Sequence, residues 1–245
     1  MAKARCDQML VDRGLVDSRS RAQAVILAGK IFSGERRIDK AGQLLPEDAP
    51  LELRGQDHPW VSRGGLKLAH AMEQFGLSAA GRVALDIGAS TGGFTDVLLA
   101  GGALRVHAVD VGHGQLAWRL RQDPRVVVHE RTNARHLTAE AIGEPVSALV
   151  CDASFIGLST LLPAPLALCA PGSWAVALIK PQFEAGRALV GSKGVVRDPA
   201  VHDAVCVRVR QWWEGLGDWT VGEIVASPIT GPEGNREFLI VANKN

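Results

Sequence analysis

The sequence predicts an α/β fold: an open sheet of five parallel strands, finished by an antiparallel hairpin and preceded by a small α+β module. Three observations lead there. From residue 80 on, short aliphatic runs alternate with amphipathic stretches of helical period, the pattern of strand–crossover–strand units. Val83–Phe94 reads VALDIGASTGGF, a buried strand passing through a glycine-rich turn into a helix. The stretch before residue 58 has a hydrophobic pattern and a charge balance of its own.

Composition sets the limits. The 245 residues allow one large domain or a medium domain with a small one. The net charge is only +1, but through Lys40 nine bases face five acids, so the N-terminus is basic and the remainder slightly acidic. The four cysteines, Cys6, Cys151, Cys169 and Cys206, are scattered with no C-x-x-C pair. They read as thiols of a reduced compartment, not a disulfide frame or a zinc site. The seven histidines have no ligand spacing, so no metal is expected. The greasiest run, Leu161–Ala170, is broken by Pro163 and Pro165, and neither a signal peptide nor a membrane span is read. The expectation is a cytoplasmic protein off the membrane, and a monomer.

In chain order, Asp7–Val11 opens a helix stopped by Gly14. Asp17 or Ser18 can cap a second helix, Arg19–Ala28, ended by Gly29. Lys30–Phe32 and Leu51–Leu53 read as short strands around a Ser33-Gly34 turn. Residues 1–57 thus form the small module. Residues 58–61, His-Pro-Trp-Val, are a linker in which Pro59 keeps His58 extended. Residues 62–245 form the larger domain, entered by a helix from Ser62 to about Phe75 that carries Lys67. Taken alone, that lysine reads as a helix-surface residue.

Further strands are read at Val83–Ile87, Val106–Asp110, Val126–Glu130, Ala148–Cys151 and Ala175–Ile179. Helices are read at Thr95–Ala100, Gln115–Arg121, Ala139–Ile142, Thr160–Leu168 and Pro199–Leu216. Val221–Ser227 and Glu237–Ala242 make the terminal hairpin.

In open α/β sheets ligands sit beyond the carboxyl ends of the strands. The first strand ends in D-x-G-x-x-x-G-G, formed by Asp86, Gly88, Gly92 and Gly93 with Ala89, Ser90, Thr91 and Phe94 around them. A dinucleotide site would show G-x-G-x-x-G, and an acid at this point suits an ammonium better than a phosphate. The turn resembles the first motif of S-adenosylmethionine-dependent methyltransferases. The second strand ends in Asp110, placed to accept both hydroxyls of a ribose. The third runs into Asn133, suited to an adenine edge. The fourth and fifth end in Asp152 and Lys180, and charges at buried strand ends are costly unless paired or solvated in a site.

Two longer resemblances follow. The N-terminal D-Q-x-L-V-x-x-G-L-x-x-S-R-S-x-A-x-x-x-I-x-x-G-K-I resembles the S4 RNA-binding domain, with Ser33 where such modules commonly have asparagine. Arg5, Arg19, Arg21 and Lys30 are its candidate phosphate contacts. With SRGGLKL, DIGASTGGFTD, AVDVGHGQL, ERTNAR, D-x-SFI, KPQFE and GNREFL, the chain resembles the TlyA family over nearly its whole length. These are 2′-O-ribose methyltransferases of ribosomal RNA related to the FtsJ type, some also described as haemolysins. The resemblance implies a Rossmann-like S-adenosylmethionine methyltransferase sheet and a Lys-Asp-Lys-Glu tetrad, which falls on Lys67, Asp152, Lys180 and Glu237.

It further implies S-adenosyl-L-methionine as cofactor, ribosomal RNA as partner and a cytidine as target. A ribose hydroxyl must lose its proton as it attacks a sulfonium methyl. Lys180 is the implied base, since desolvation and a neighbouring cation favour a neutral amine. Asp152 orients it, Lys67 stabilises the alkoxide and Glu237 holds Lys67. Family members often have Arg-x-Trp-Val in the linker, where this chain has His58-Pro59-Trp60-Val61. Longer members, which modify both subunits, continue past the position of Asn245, so the large subunit is the expected target. The competing readings are a non-catalytic RNA-binding assembly factor and a membrane-active haemolysin. The second is disfavoured by the lack of an amphipathic or apolar segment of the required kind, and an NAD-dependent oxidoreductase by the missing fingerprint.

Overall fold

Strand β6, Val83–Ile87, lies at the centre of a sheet whose two faces are set by its own alternation. Ala84 faces one hydrophobic cluster, and Leu85 and Ile87 face another, as the period of two requires. The computed structural model describes residues 3–16, 18–54, 58–191, 194–231 and 233–245. Within them β6 is flanked on one side by β7 (Arg105–Val109) and β8 (Val126–His129), and on the other by β9 (Val146–Cys151) and β10 (Cys169–Ile179). These five are parallel, whereas β12 (Phe238–Lys244) inserts antiparallel between β10 and the edge strand β11 (Trp219–Ala226).

Helices cover both faces, as a parallel sheet requires. On one side α3 (Gly64–Gln74) and α4 (Gly93–Ala100) bury Leu68, Ala71, Val97 and Leu98 against Ala84, Val106, Ala148 and Val176. On the other, α7 (Leu158–Leu161), α8 (Pro163–Ala167) and α10 (Pro199–Glu214) pack Leu162, Val205, Val209 and Trp213 over Leu149, Ala175 and Ala177. Asp198 caps α10 by accepting from the Ala200 N–H, and Pro199 takes the first turn, where no donor is needed.

Several boundaries differ from the expectation. The helix read at Thr160–Leu168 is two, α7 and α8, because Pro163 has no N–H to continue the ladder. The helix read from Gln115 begins at Trp118, as α5 (Trp118–Arg121), because the Ala117 N–H is used by the Thr91 carbonyl. Strand β10 starts six residues early, with an irregularity between Cys169 and Trp174. The short α6 (Ala139–Ile142) stands where it was read.

The residues before the linker have a hydrophobic cluster of their own, centred on Leu10, Ile26, Ile31 and Ile38. Helices α1 (Cys6–Asp12) and α2 (Arg19–Leu27) pack against it. The cap of α2 is Ser18, whose Oγ accepts from the Arg21 N–H, while Asp17 lies outside the described residues, as do Gln56 and Asp57 at the module boundary. The turn after β2 (Ile31–Ser33) returns at once through Gly34-Glu35 to β3 (Arg36–Arg37), with Gly34 left-handed at φ +59°. The strand expected to pair across that turn is instead β5 (Glu52–Leu53), on the other edge of β2. A second small pairing, β1 (Lys3–Arg5) with β4 (Leu44–Pro46), was too short to show any alternation. Among the described residues no helix is long and apolar enough to cross a membrane.

Asp7 ties this part together. Its buried carboxylate accepts from Arg5 Nε and Nη2 (2.9 and 2.8 Å), from Arg19 Nη2 (3.1 Å) and from the Gln8 N–H (3.0 Å). The Arg5 hydrogen bond, opposed by burial and helped by Arg19, holds the carboxyl well below its usual range. A depressed acid stabilises the fold above its unfolded value, about pH 4, and that contribution falls as pH drops further. Asp7→Asn should therefore lower the melting temperature of the N-terminal part by ~5 °C at pH 7, and the deficit should shrink below pH 4. Calorimetry at pH 7 and pH 3 measures both.

Candidate active site

The loop after β6 is shaped by close backbone approach. At Gly88, φ +79°, a Cβ would stand 3.0 Å from the backbone of Ala153 at the end of β9. At Gly93 it would lie 2.3 Å from Ser62 Oγ and 2.8 Å from the Gly65 N, where α3 begins. Glycine is what lets three segments meet here. Gly88, Ala89, Ser90, Thr91, Gly93 and Phe94 wall a cavity of about 570 Å³. Gly92 is left-handed at φ +97° and sits behind the wall against Leu116 and Leu120.

Asp86 is not part of that wall. It is wholly buried under the loop, with Oδ2 accepting from Thr95 Oγ1 at 2.6 Å and Oδ1 meeting no partner among the described residues. Burial, opposed by the Thr95 hydrogen bond and reinforced by the Asp152 and Asp110 carboxylates, pushes it up to about 7. The acid expected to face an ammonium thus supports the loop from beneath.

Asp110 stands beside the loop in a small recess with Gln115 and Glu130. Its Oδ2 accepts from the Ser90 N–H (2.9 Å) and its Oδ1 from the Gly112 N–H (2.6 Å), which fixes the carboxylate while leaving a lone pair on each oxygen. Asn133 is elsewhere. It is exposed and accepts from the Arg135 N–H (3.1 Å), capping a short 3₁₀ turn at Ala134–His136. The side chains that the fold offers in the recess are Gln115 and Glu130, and the latter accepts from the Gly114 N–H at 2.8 Å.

The four charges come together at one end of the main cavity. Lys67 Nζ, from α3, lies 2.6 Å from Glu237 Oε2 and 3.3 Å from Asp152 Oδ2. Lys180 Nζ lies 2.5 Å from Asp152 Oδ1 and donates to Ser154 Oγ at 3.0 Å. Both lysines are 7% exposed and Glu237 3%. Positions separated by 85 and 170 residues are joined, because α3, the carboxyl ends of β9 and β10 and the entry to β12 meet at one end of the sheet. The surface reading of Lys67 fails for that reason: α3 lies flat on the sheet, with Lys67 on its inner side next to Leu68 and Ala71. Among the described residues no cluster of histidine, cysteine or carboxylate side chains could hold a metal ion.

The sequence reading passed over other residues of the cavity. Phe155 is 88% exposed on left-handed backbone (φ +68°), with its ring 5.0 Å from that of Phe183. A large exposed apolar side chain on unfavourable backbone makes Phe155 a candidate for contact with a ligand, and its presence in the SFI motif was the available signal. Asn235 is 2% exposed and bridges two rim segments, donating from Nδ2 to the Gly194 carbonyl (2.9 Å) and accepting at Oδ1 from the Val196 N–H (3.0 Å). Of the four candidate phosphate contacts, Arg5 and Arg19 are paired with Asp7. Arg21 and Lys30 instead line a groove between the N-terminal part and the larger one.

The profile of the FtsJ-like methyltransferases matches residues 60–244. Over 239 residues, 97% of this chain and 89% of its relative, the sequence is 48% identical to the 16S/23S rRNA (cytidine-2′-O)-methyltransferase TlyA of Mycobacterium tuberculosis. It is 35% identical over 241 residues, 91% of this chain and 90% of the relative, to the 23S rRNA (cytidine-2′-O)-methyltransferase TlyA of Campylobacter jejuni. A solved Streptococcus thermophilus structure bearing a hemolysin label superposes with a TM-score of 0.77 at 41% identity, covering 100% of this chain and 90% of that one.

The buried Asp86 gives a direct test of the loop. Because the folded protein keeps this proton up to about pH 7 and the unfolded chain releases it near pH 4, stability falls as pH rises across that window. Asp86→Asn removes the dependence. It should gain on the order of 2 kcal/mol relative to wild type at pH 8 compared with pH 5, measured by urea denaturation at the two pH values.

Proposed function

The chain belongs to the FtsJ-like methyltransferase family, and on that premise we propose that it transfers a methyl group from S-adenosylmethionine to the ribose 2′-hydroxyl of a cytidine in ribosomal RNA. The observation that carries the reading is the meeting of Lys67, Asp152, Lys180 and Glu237 in the cavity walled by the glycine loop. The 23S RNA is common to the names of both curated relatives, so the large subunit is the proposed target. Residues 1–57 are proposed as an S4-like RNA-binding module.

The residues present fit the cofactor. The loop leaves room where a Cβ would intrude, and the fixed Asp110 carboxylate has lone pairs to spare for vicinal hydroxyls. When bound, S-adenosylmethionine supplies an electrophilic methyl on a sulfonium. The protein's part is to present the hydroxyl in line and remove its proton. Lys180 is the proposed acceptor of that proton, with Ser154 and Asp152 fixing the direction of its Nζ. Lys67, anchored by Glu237, lies on the other carboxylate oxygen of Asp152 and stabilises the charge that grows on the ribose oxygen. Protonation belongs to the coupled set as a whole. A 2′-hydroxyl inside a helix cannot reach this depth, so the nucleotide enters extruded. Phe155 and Phe183 at the mouth offer its base an aromatic surface.

The decisive experiment incubates the protein and labelled cofactor with each ribosomal subunit from a strain lacking the enzyme. Alkali-resistant dinucleotides should appear at a cytidine of the large subunit. Label on a base would overturn the mechanism, and label confined to the small subunit the choice of target.

Lys180→Ala should lower kcat by at least a hundredfold while calorimetry shows cofactor affinity within about twofold of wild type, because its role is confined to the transition state. Lys180→Arg should be equally impaired, since a guanidinium does not release its proton near neutrality. An active arginine variant would reduce the role of Lys180 to charge stabilisation.

A further inference from the structure

From the groove between the two parts of the chain we infer a second nucleotide subsite, for the neighbour of the residue whose ribose is methylated. The groove encloses about 660 Å³, within the range of small-molecule sites. It runs directly into the catalytic cavity, since Ser62, Arg63, Gly64 and Ile229 wall both.

Its chemistry suits one phosphodiester and one unstacked base. Arg21, Lys30, His58 and Arg63 face it, and among the described residues its lining has no carboxylate. That bias is not the background of the chain, whose net charge is +1. Arg21 and Arg63 are exposed and neither forms an ion pair with a described residue, whereas Arg5 and Arg19 share the single carboxylate of Asp7. His58 Nδ1 is buried with no partner among the described residues, an arrangement that favours a ligand polar group. Leu15 and Leu53 supply an apolar wall, of use to a splayed base and not to a stacked duplex. Arg63 also stands at the N-terminus of α3, where the helix dipole adds to its attraction for a phosphate.

This subsite rests on the reading of the chain as an RNA 2′-O-methyltransferase and deepens it. The RNA would enter as two consecutive extruded nucleotides, one at the lysines and one between the modules. Both parts of the chain would then hold the same short segment. Affinity for RNA and placement of the ribose become one property.

The test uses the full chain and large ribosomal subunits lacking the methyl group. Arg63→Ala should raise KM for subunits about tenfold and reduce the salt slope of binding by about one phosphate's worth, with cofactor affinity unchanged by calorimetry. Leu53→Glu, which puts a carboxylate into the groove, should raise KM likewise. Independently of any variant, large-subunit RNA carrying 4-thiouridine beside the methylated residue should photo-crosslink to Arg21–Val25, Leu53 or Arg63. Methyl transfer by wild type with KM unaltered in both variants, or crosslinks confined to other segments, would overturn the subsite and leave the proposed function intact. Absence of transfer by wild type would remove the proposed function, and the subsite with it.

Discussion

A buried charge network is the constraint on which the rest of the molecule depends. Two lysines and Glu237 are withdrawn from water at the end of the sheet around a half-buried Asp152, and none of the three could stay there without its partners. Lys67 alone would be an uncompensated cation in an apolar wall. Each member comes from a different element, so their pairing requires the inner side of α3, the carboxyl ends of β9 and β10, and the start of β12, which runs back between β10 and β11, to meet at one end of the sheet. Such a network adds little net stability compared with apolar residues of the same size. Its presence at one end of a glycine-lined cavity is therefore better explained by chemistry than by folding.

The glycines act on the same place by a different physical route. Gly88 and Gly93 do not merely make a loop flexible. They remove atoms that would hold the end of β9, the loop and the start of α3 apart. The glycine loop and the lysine end of the cavity are thus brought to a shared wall. Asp86 supports this wall from below, where burial pushes its carboxyl up to about 7.

Much of this was legible before any coordinates. The five parallel strands and the terminal hairpin follow from alternating runs that are long enough to be unambiguous. Asp110, Asp152 and Lys180 were visible as charges where a buried strand stops. Lys67 was visible only through the family resemblance, because a single lysine in an amphipathic helix has the same local pattern whether it faces water or a carboxylate 85 or 170 residues away. Asp86 and Asn133 were legible as motif members but not in their placement, since burial and capping are decided by neighbours outside the motif. Phe155 and Asn235 depend on loop geometry, which hydrophobic period does not encode. The pairing of Arg5 and Arg19 with Asp7 likewise comes from two helices crossing, and a count of basic residues could not show it.

The insertion of β12 between β10 and β11 bears on how the chain reaches this state. Until β12 docks, β10 presents an open edge of Trp174–Ile179, an aliphatic stretch with free backbone donors and acceptors along one side. β11, although earlier in the chain, cannot cover it, because its partner in the sheet is β12. The pairing of β10 with β12 is thus non-local and covers an apolar edge that could otherwise take up a strand of another chain. The same step delivers Glu237 to Lys67. A chain in which that edge is still open is, by this topology, also one whose Lys67 lacks Glu237, so a single docking event both covers the edge and completes the charge network.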